Sequence, residues 1–172
     1  MTFNPDIHHR QSIRLKNYDY SQVGLYFITV CSQHRQPLFG RIVDGEMRLN
    51  EAGVMVENYW RAISTHFPHA MLESFVVMPN HLHGIISITN HPVGANNHLP
   101  SPLQHGTSKT IGSMVRGFKM AVTRWFREHT TIYVVWQRNY HEHIIRNNEA
   151  YLKISQYIQT NPQRWQEDTY HI

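Results

Sequence analysis

Cysteine is almost missing from the 172-residue chain, with Cys31 standing alone. A single thiol excludes an intrachain disulfide and any thiolate cluster for zinc, and Cys31 reads as a small core residue on a strand. Long apolar runs are missing too: none approaches the ~18 residues needed to span a bilayer, so no membrane partner is expected. The stretch from Met1 to Ser21 carries Arg10, Arg14 and Lys16 but no apolar segment followed by small residues, which is not the make-up of a secretory signal. The expected compartment is the cytoplasm. Acidic side chains are the scarcer sign, 12 against 16 Lys and Arg, giving a net charge of +4. With a pI near 9.3, the excess implies an acidic partner, and nucleic acid is the common one.

What is present belongs to a folded globule: 41% of the residues are hydrophobic and 14 are histidine. The length fits one domain over residues 1–172, with a basic arm at 1–22 and a mobile loop at 90–108, where Pro, Gly, Asn, His and Ser replace apolar periodicity. No repeat is visible.

Gly24 to Cys31 is short, aromatic and β-branched, and reads as a strand. Asp44-Gly45 between Arg41 and Leu49 is the signal of a small hairpin. Asn50 stands at an N-cap position before a helix marked by Val54, Met55, Tyr59, Ala62 and Ile63 and stopped by Phe67-Pro68. Leu72 to Met78 and Leu82 to Thr89 read as two strands joined at Pro79-Asn80. Ile111, Met114, Val115, Phe118, Ala121, Val122, Trp125 and Phe126 form the stripe of a long amphipathic helix, with Lys109, Arg116, Lys119, Arg124 and Arg127 on its other faces. Tyr133 to Trp136 reads as a short strand, Gln137 to Arg146 as a polar, aromatic loop, and Asn148 to Thr160 as a final helix stopped by Asn161-Pro162. This order predicts an α+β fold, a four- to five-stranded antiparallel sheet with helices packed on one face.

Two places carry chemistry. In Met78-Pro-Asn-His81-Leu-His83-Gly84 the histidines are two apart at the start of a strand, so both imidazoles project from one face and can reach one ion. The pair alone is a weak signal, since most such histidines are structural. In Tyr157-Ile-Gln-Thr-Asn161, residues i and i+4 share a helix face, bringing a phenol beside an amide. A tyrosine nucleophile needs its phosphoryl target neutralised and held in line, as a cation on two histidines and an amide oxygen can do. The bland alternatives are an aromatic packed on the sheet and an asparagine that ends a helix.

Together with Ser12 to Ser21, Ile111 to Lys119 and Trp136-Gln-Arg-Asn-Tyr-His-Glu-His-Ile-Ile-Arg-Asn147, these stretches resemble the REP-associated tyrosine transposases, which belong with the insertion-sequence 200/605-type HUH transposases. The resemblance covers most of the chain. It implies a ferredoxin-like sheet, a divalent metal, Mg²⁺ or Mn²⁺, on His81 and His83 with Asn161 as a third ligand, and Tyr157 as the nucleophile. It implies a single-strand DNA endonuclease and strand-transferase that acts on hairpin or palindromic repeat DNA through a 5′-phosphotyrosine link.

Glu142 and His143 either support the active site or pack. Arg146 either clamps a phosphate or pairs with Glu149. Arg10, Arg14, Lys16, Arg116, Lys119, Arg124 and Arg127 are the candidate phosphate contacts. Tyr18, Tyr20 and Tyr140 are candidates to stack on unpaired bases, although packing is the commoner fate of tyrosine. Relatives include homodimers that exchange the tyrosine helix and monomers that keep it, and the sequence leaves both open. The rival functions are a hairpin-DNA binding protein without turnover and a histidine-metal hydrolase that activates water.

Overall fold

Local signals set most of the elements in the computed structural model, which describes residues 18–90 and 109–171. The expected arm at 1–22 and loop at 90–108 lie almost wholly outside the described residues, and with them Arg10, Arg14 and Lys16. Strand β1 (Gly24–Cys31) is followed by a 3-10 turn at Gln33–Arg35 and by the hairpin of β2 (Gly40–Val43) and β3 (Glu46–Leu49). Asp44 and Gly45 both have positive φ, 51° and 75°, the left-handed pair a two-residue turn of this kind requires. Asn50 caps α1 (Glu51–Arg61), its side chain accepting from the Gly53 N–H.

The helix expected to run to Phe67 stops at Ala62, whose ψ of −11° tightens the backbone, and α2 (Ile63–His66) continues as a separate turn. Strands β4 (Ala70–Val77) and β5 (His81–Ile88) come next, then α3 (Ile111–His129) with Thr110 as its cap. The chain closes on β6 (His141–Ile145) and α4 (Asn148–Thr160), capped by Asn147.

All four long strands pair antiparallel in the order β4-β5-β1-β6. Setting the hairpin aside, the element order is β-α-β-β-α-β, which is the ferredoxin-like arrangement. Alternation along the strands divides the core. Tyr26, Ile28 and Val30 of β1 and Leu82, Ile86 and Ile88 of β5 face α1, α2 and α3, whereas Phe27 and Ile85 face α4 with Ile158 and Tyr157. The three helices that cover one face are therefore α1–α3. Helix α4 lies on the other face, where the sequence order placed none.

At Gly84 of β5, Trp60 of α1 packs directly on the sheet backbone. A Cβ there would sit 2.5 Å from Cζ2 of Trp60, so the indole occupies the space a side chain would need. Among the described residues no helix is long and apolar enough to cross a membrane.

Two sequence expectations are corrected. Tyr133 to Trp136 is not a strand: only Trp136 makes a bridge, to Ser32. Its would-be partner β1 has ended there and turned into the 3-10 segment, so no ladder remains to join. Conversely, the segment expected as a loop contains β6, in which Ile145 pairs with Leu25 and His141 with Thr29. An edge strand with one open face tolerates polar side chains, and pairing with β1 overrides its weak local propensity.

Candidate active site

His81 and His83 project from β5 on the α4 face, their ring centroids 4.4 Å apart, and both are fully buried. Each ring is oriented through Nδ1. His81 Nδ1 lies 2.8 Å from Oδ1 of the buried Asn80, whose Nδ2 donates to the Arg35 and Tyr170 carbonyls. Because the amide nitrogen is committed to those two acceptors, the oxygen faces His81, and Nδ1 carries the proton. His81 Nε2 is then a bare lone pair, buried and without a hydrogen-bond partner among the described residues. His83 Nδ1 lies 2.7 Å from Oγ1 of Thr29, its cross-strand neighbour.

Tyr157 reaches over from α4. Its hydroxyl is 3.1 Å from His83 Nε2 and 3.3 Å from Oδ2 of Asp168. Asn161, at the end of α4 and buried, donates from Nδ2 to that same Asp168 oxygen, while its own Oδ1 has no partner among the described residues. The segment that follows α4 folds back across the pair: Tyr170 packs 4.8 Å from the His81 ring, and its N–H donates to Oδ1 of Asp168 at 2.6 Å. Arg35 holds this segment from the far side, donating to the Thr169 carbonyl at 2.9 Å.

Burial fixes the protonation states. It pushes His81 down to about 3, helped by the charge of Arg35. His83 also falls well below its ordinary value, by burial and by the neighbouring His81, against an upward pull from Asp168. Both rings are therefore neutral, the form that ligates metal. Burial, then the Asp168 carboxylate, hold the Tyr157 phenol well above its ordinary value.

The donor set fits a divalent cation. Ligand atoms of His81, His83 and Asp168 lie within 4.8 Å of one another, and two of the buried polar atoms without a hydrogen-bond partner among the described residues, His81 Nε2 and Asn161 Oδ1, are acceptors at this place. Two imidazole nitrogens with carboxylate and amide oxygens suit Mn²⁺ and related ions.

The structure thus brings together His81, His83, Tyr157 and Asn161. It separates Glu142, which pairs with Ile28 and so faces the α3 side of the sheet. His143 is on the α4 face beside Phe27, but exposed, and it is His141 that stands level with Thr29 and His83. Arg146 is exposed, and its expected partner Glu149 pairs with Lys153.

Arg116, Arg124 and Arg127 are exposed along α3. Lys119 is partly buried: its ammonium donates to the Gln137 and Asn139 carbonyls, and burial lowers it to about 8. Tyr18 and Tyr20 pack on each other, ring centroids 4.9 Å apart, and Tyr140 packs against the core.

Asp168, Asn80, Thr29 and Tyr170 were not singled out from sequence. Asn80 sits inside the quoted histidine motif, and that adjacency was the available signal. Asp168 follows a proline and a 3-10 turn, where no periodicity points to it.

No family model matches the chain. An uncharacterized protein of Haemophilus influenzae is 49% identical over 176 residues, which span 99% of this chain and 97% of that protein. Among solved structures, a REP-associated tyrosine transposase bound to a REP hairpin matches with a TM-score of 0.61 at 22% identity, covering 90% of this chain and 74% of that one. The chain therefore belongs to the family of the Haemophilus influenzae protein and has the fold of the REP-associated tyrosine transposase.

Proposed function

We propose that this protein is a divalent-metal-dependent endonuclease and strand-transferase for single-stranded DNA, acting on hairpin or palindromic repeats through a covalent link to Tyr157. The observation that carries the reading is the Tyr157 hydroxyl, 3.1 Å from His83 Nε2 in a pocket that holds two neutral imidazoles and a carboxylate. The choice of hairpin DNA rests on the neighbour of the same fold, which was solved with a REP hairpin.

Mg²⁺ or Mn²⁺ held by His81, His83 and the oxygens of Asp168 and Asn161 would supply Lewis-acid polarisation of a phosphate oxygen. Tyr157 supplies the nucleophile. Its phenol is raised by burial and by Asp168, so attack requires positive charge beside it. Asp168 Oδ2, 3.3 Å away, is the carboxylate within reach of the phenolic proton. A Tyr157 Oη–phosphorus bond forms as the bond from phosphorus to the 3′ oxygen breaks. The 3′ oxygen leaves with a proton, and the 5′ phosphate stays esterified to Tyr157. The diester bond is conserved, so a second 3′ hydroxyl can reverse the step and join strands without ATP. Thr29 and Asn80 orient the two imidazoles throughout.

The test is a denaturing gel of protein incubated with end-labelled single-stranded hairpin DNA, in Mn²⁺ or in EDTA. A slow-moving adduct in Mn²⁺, absent in EDTA, in Tyr157→Phe and in His81→Ala, is the expected result. Cleavage without adduct would transfer the reading to hydrolysis by water. Native complexes with neither cleavage nor adduct would make the protein a hairpin-DNA binder.

A further inference from the structure

A groove of about 1560 Å³ runs between α3 and residues 133–140, on the side of the molecule away from α4. Its walls carry Arg116, Arg124, Arg127 and Arg138 against a single acid, Glu128, and none of the four arginines is in an ion pair among the described residues. The walls are also unusually apolar for a surface. Met120, Tyr133 and Val134, each more than 60% exposed, are three of the seven large hydrophobic side chains left in solvent among the described residues. Cations alone would suit any polyanion. The exposed Tyr133 ring, with Met120 and Val134 as apolar neighbours among the cations, suits one whose bases are uncovered, because a duplex presents phosphates and hides base faces.

The floor of the groove contains Gly117, in the middle of a 19-residue helix. Among the described residues nothing lies within 4 Å of a Cβ placed there. Glycine in a helix interior costs about 1 kcal/mol relative to alanine, and here no neighbour among the described residues requires it. The open position lets another chain come close to the helix backbone.

The groove also leads somewhere. Its Gln137, Arg138, Asn139 and Tyr140 wall is shared with a smaller cavity of about 330 Å³ bounded by Thr29, Cys31 and His141. Thr29 is the residue whose hydroxyl bonds His83. Lys119 stiffens the shared wall by bonding two of its carbonyls.

We propose that this groove binds single-stranded DNA, with bases stacked on Tyr133 and phosphates on the α3 arginines, and guides the strand around the sheet edge at the start of β6 to Tyr157. The guiding role rests on the nuclease reading above, whereas the binding does not. From Arg116 to Arg127 the helix provides a track of about 16 Å, enough for a few nucleotides.

Binding is measured by fluorescence anisotropy in EDTA, using a labelled oligonucleotide without self-complementarity and the blunt duplex formed from it. The variants are Tyr133→Ala, which removes the stacking face, and Gly117→Leu, which fills the floor without touching charge. Circular dichroism and thermal midpoints establish that both fold. Each should weaken single-strand binding by about 5- to 100-fold and leave duplex binding unchanged. Replacing Arg116 and Arg124 by Gln should reduce the slope of log affinity against log salt by about 1.4.

Undiminished single-strand binding in both folded variants overturns the proposal. So does a Tyr133→Ala variant that changes only the mass in solution, which would make the groove a contact between two copies. Running the Tyr157 adduct assay on the same proteins separates the two readings. Groove-dependent binding with no adduct in any metal refutes the nuclease and keeps the groove. A normal adduct with unaffected binding refutes the groove and keeps the nuclease.

Discussion

Replacing Gly84 by alanine adds one methyl group where Trp60 of α1 lies against β5. The new carbon would lie 2.5 Å from Cζ2 and 2.9 Å from Cε2 of Trp60, and 3.1 Å from Cβ of Phe75. Comfortable carbon–carbon separation is about 3.5–4.0 Å, so the indole must retreat by roughly 1 Å. It has little room. Trp60 is fully buried, with the Phe118 ring edge-on at 5.3 Å and Phe75 on its other side.

Overpacking of this kind costs about 1–3 kcal/mol, which lowers the thermal midpoint of a chain this size by roughly 2–12 °C. Thermal unfolding followed by circular dichroism reads the shift. The decisive comparison repeats the substitution in a Trp60→Leu background, where the ring that blocks the methyl is gone. Gly84→Ala should then cost less by about 0.5–3 kcal/mol, the coupling expected of residues in contact. Equal cost in both backgrounds, or no cost in either, would refute the idea that the glycine after the histidine pair is there for Trp60.

Asn80→Ala should leave His81 free to rotate and change tautomer, lowering Mn²⁺ affinity by about 10- to 100-fold, and isothermal titration with the metal alone would detect it. Asp168→Ala should cost at least about tenfold in the same titration; unchanged affinity would remove Asp168 from the ligand set. Acid should destabilise the metal-free protein. Its buried histidines stay neutral while those of the unfolded chain bind protons below about 6.5, so stability is complete above that pH and falls as pH drops toward the folded-state value of about 3 for His81. The slope is about 1.4 kcal/mol per pH unit for each such histidine, and urea midpoints that do not move between pH 7 and 5 would contradict it.

Legibility in the sequence followed the range of the interactions. Asn50 marks a helix start because a cap acts over three residues, and Asp44-Gly45 marks the hairpin because a turn is local. The two-residue spacing of His81 and His83 and the four-residue spacing of Tyr157 and Asn161 are also local, and the structure sets all four around one pocket. Strand β6 escaped notice because its identity comes from β1, more than a hundred residues earlier. Tyr133 to Trp136 has the look of a strand but makes only the single bridge from Trp136 to Ser32. Glu142 and His143 were weighed together, yet neighbouring positions on a strand face opposite ways, which needs the strand to be seen first. Asp168 enters the pocket only through the return of its segment over β5, held by Asn80 and Arg35.

That return has a consequence for when the pocket can exist. Thr29 meets His83 across 54 positions of sequence, His83 meets Tyr157 across 74, and Asn80 meets Tyr170 across 90. Closures this long come late in folding, after local helices and hairpins have formed. A chain still on the ribosome can display the histidine pair on β5, but the phenol and the carboxylate arrive only 74 residues or more after His83. On the nuclease reading proposed above, chemistry at Tyr157 requires that synthesis has passed residue 170, and a chain cut short after β5 would carry the imidazoles without the phenol or the carboxylate.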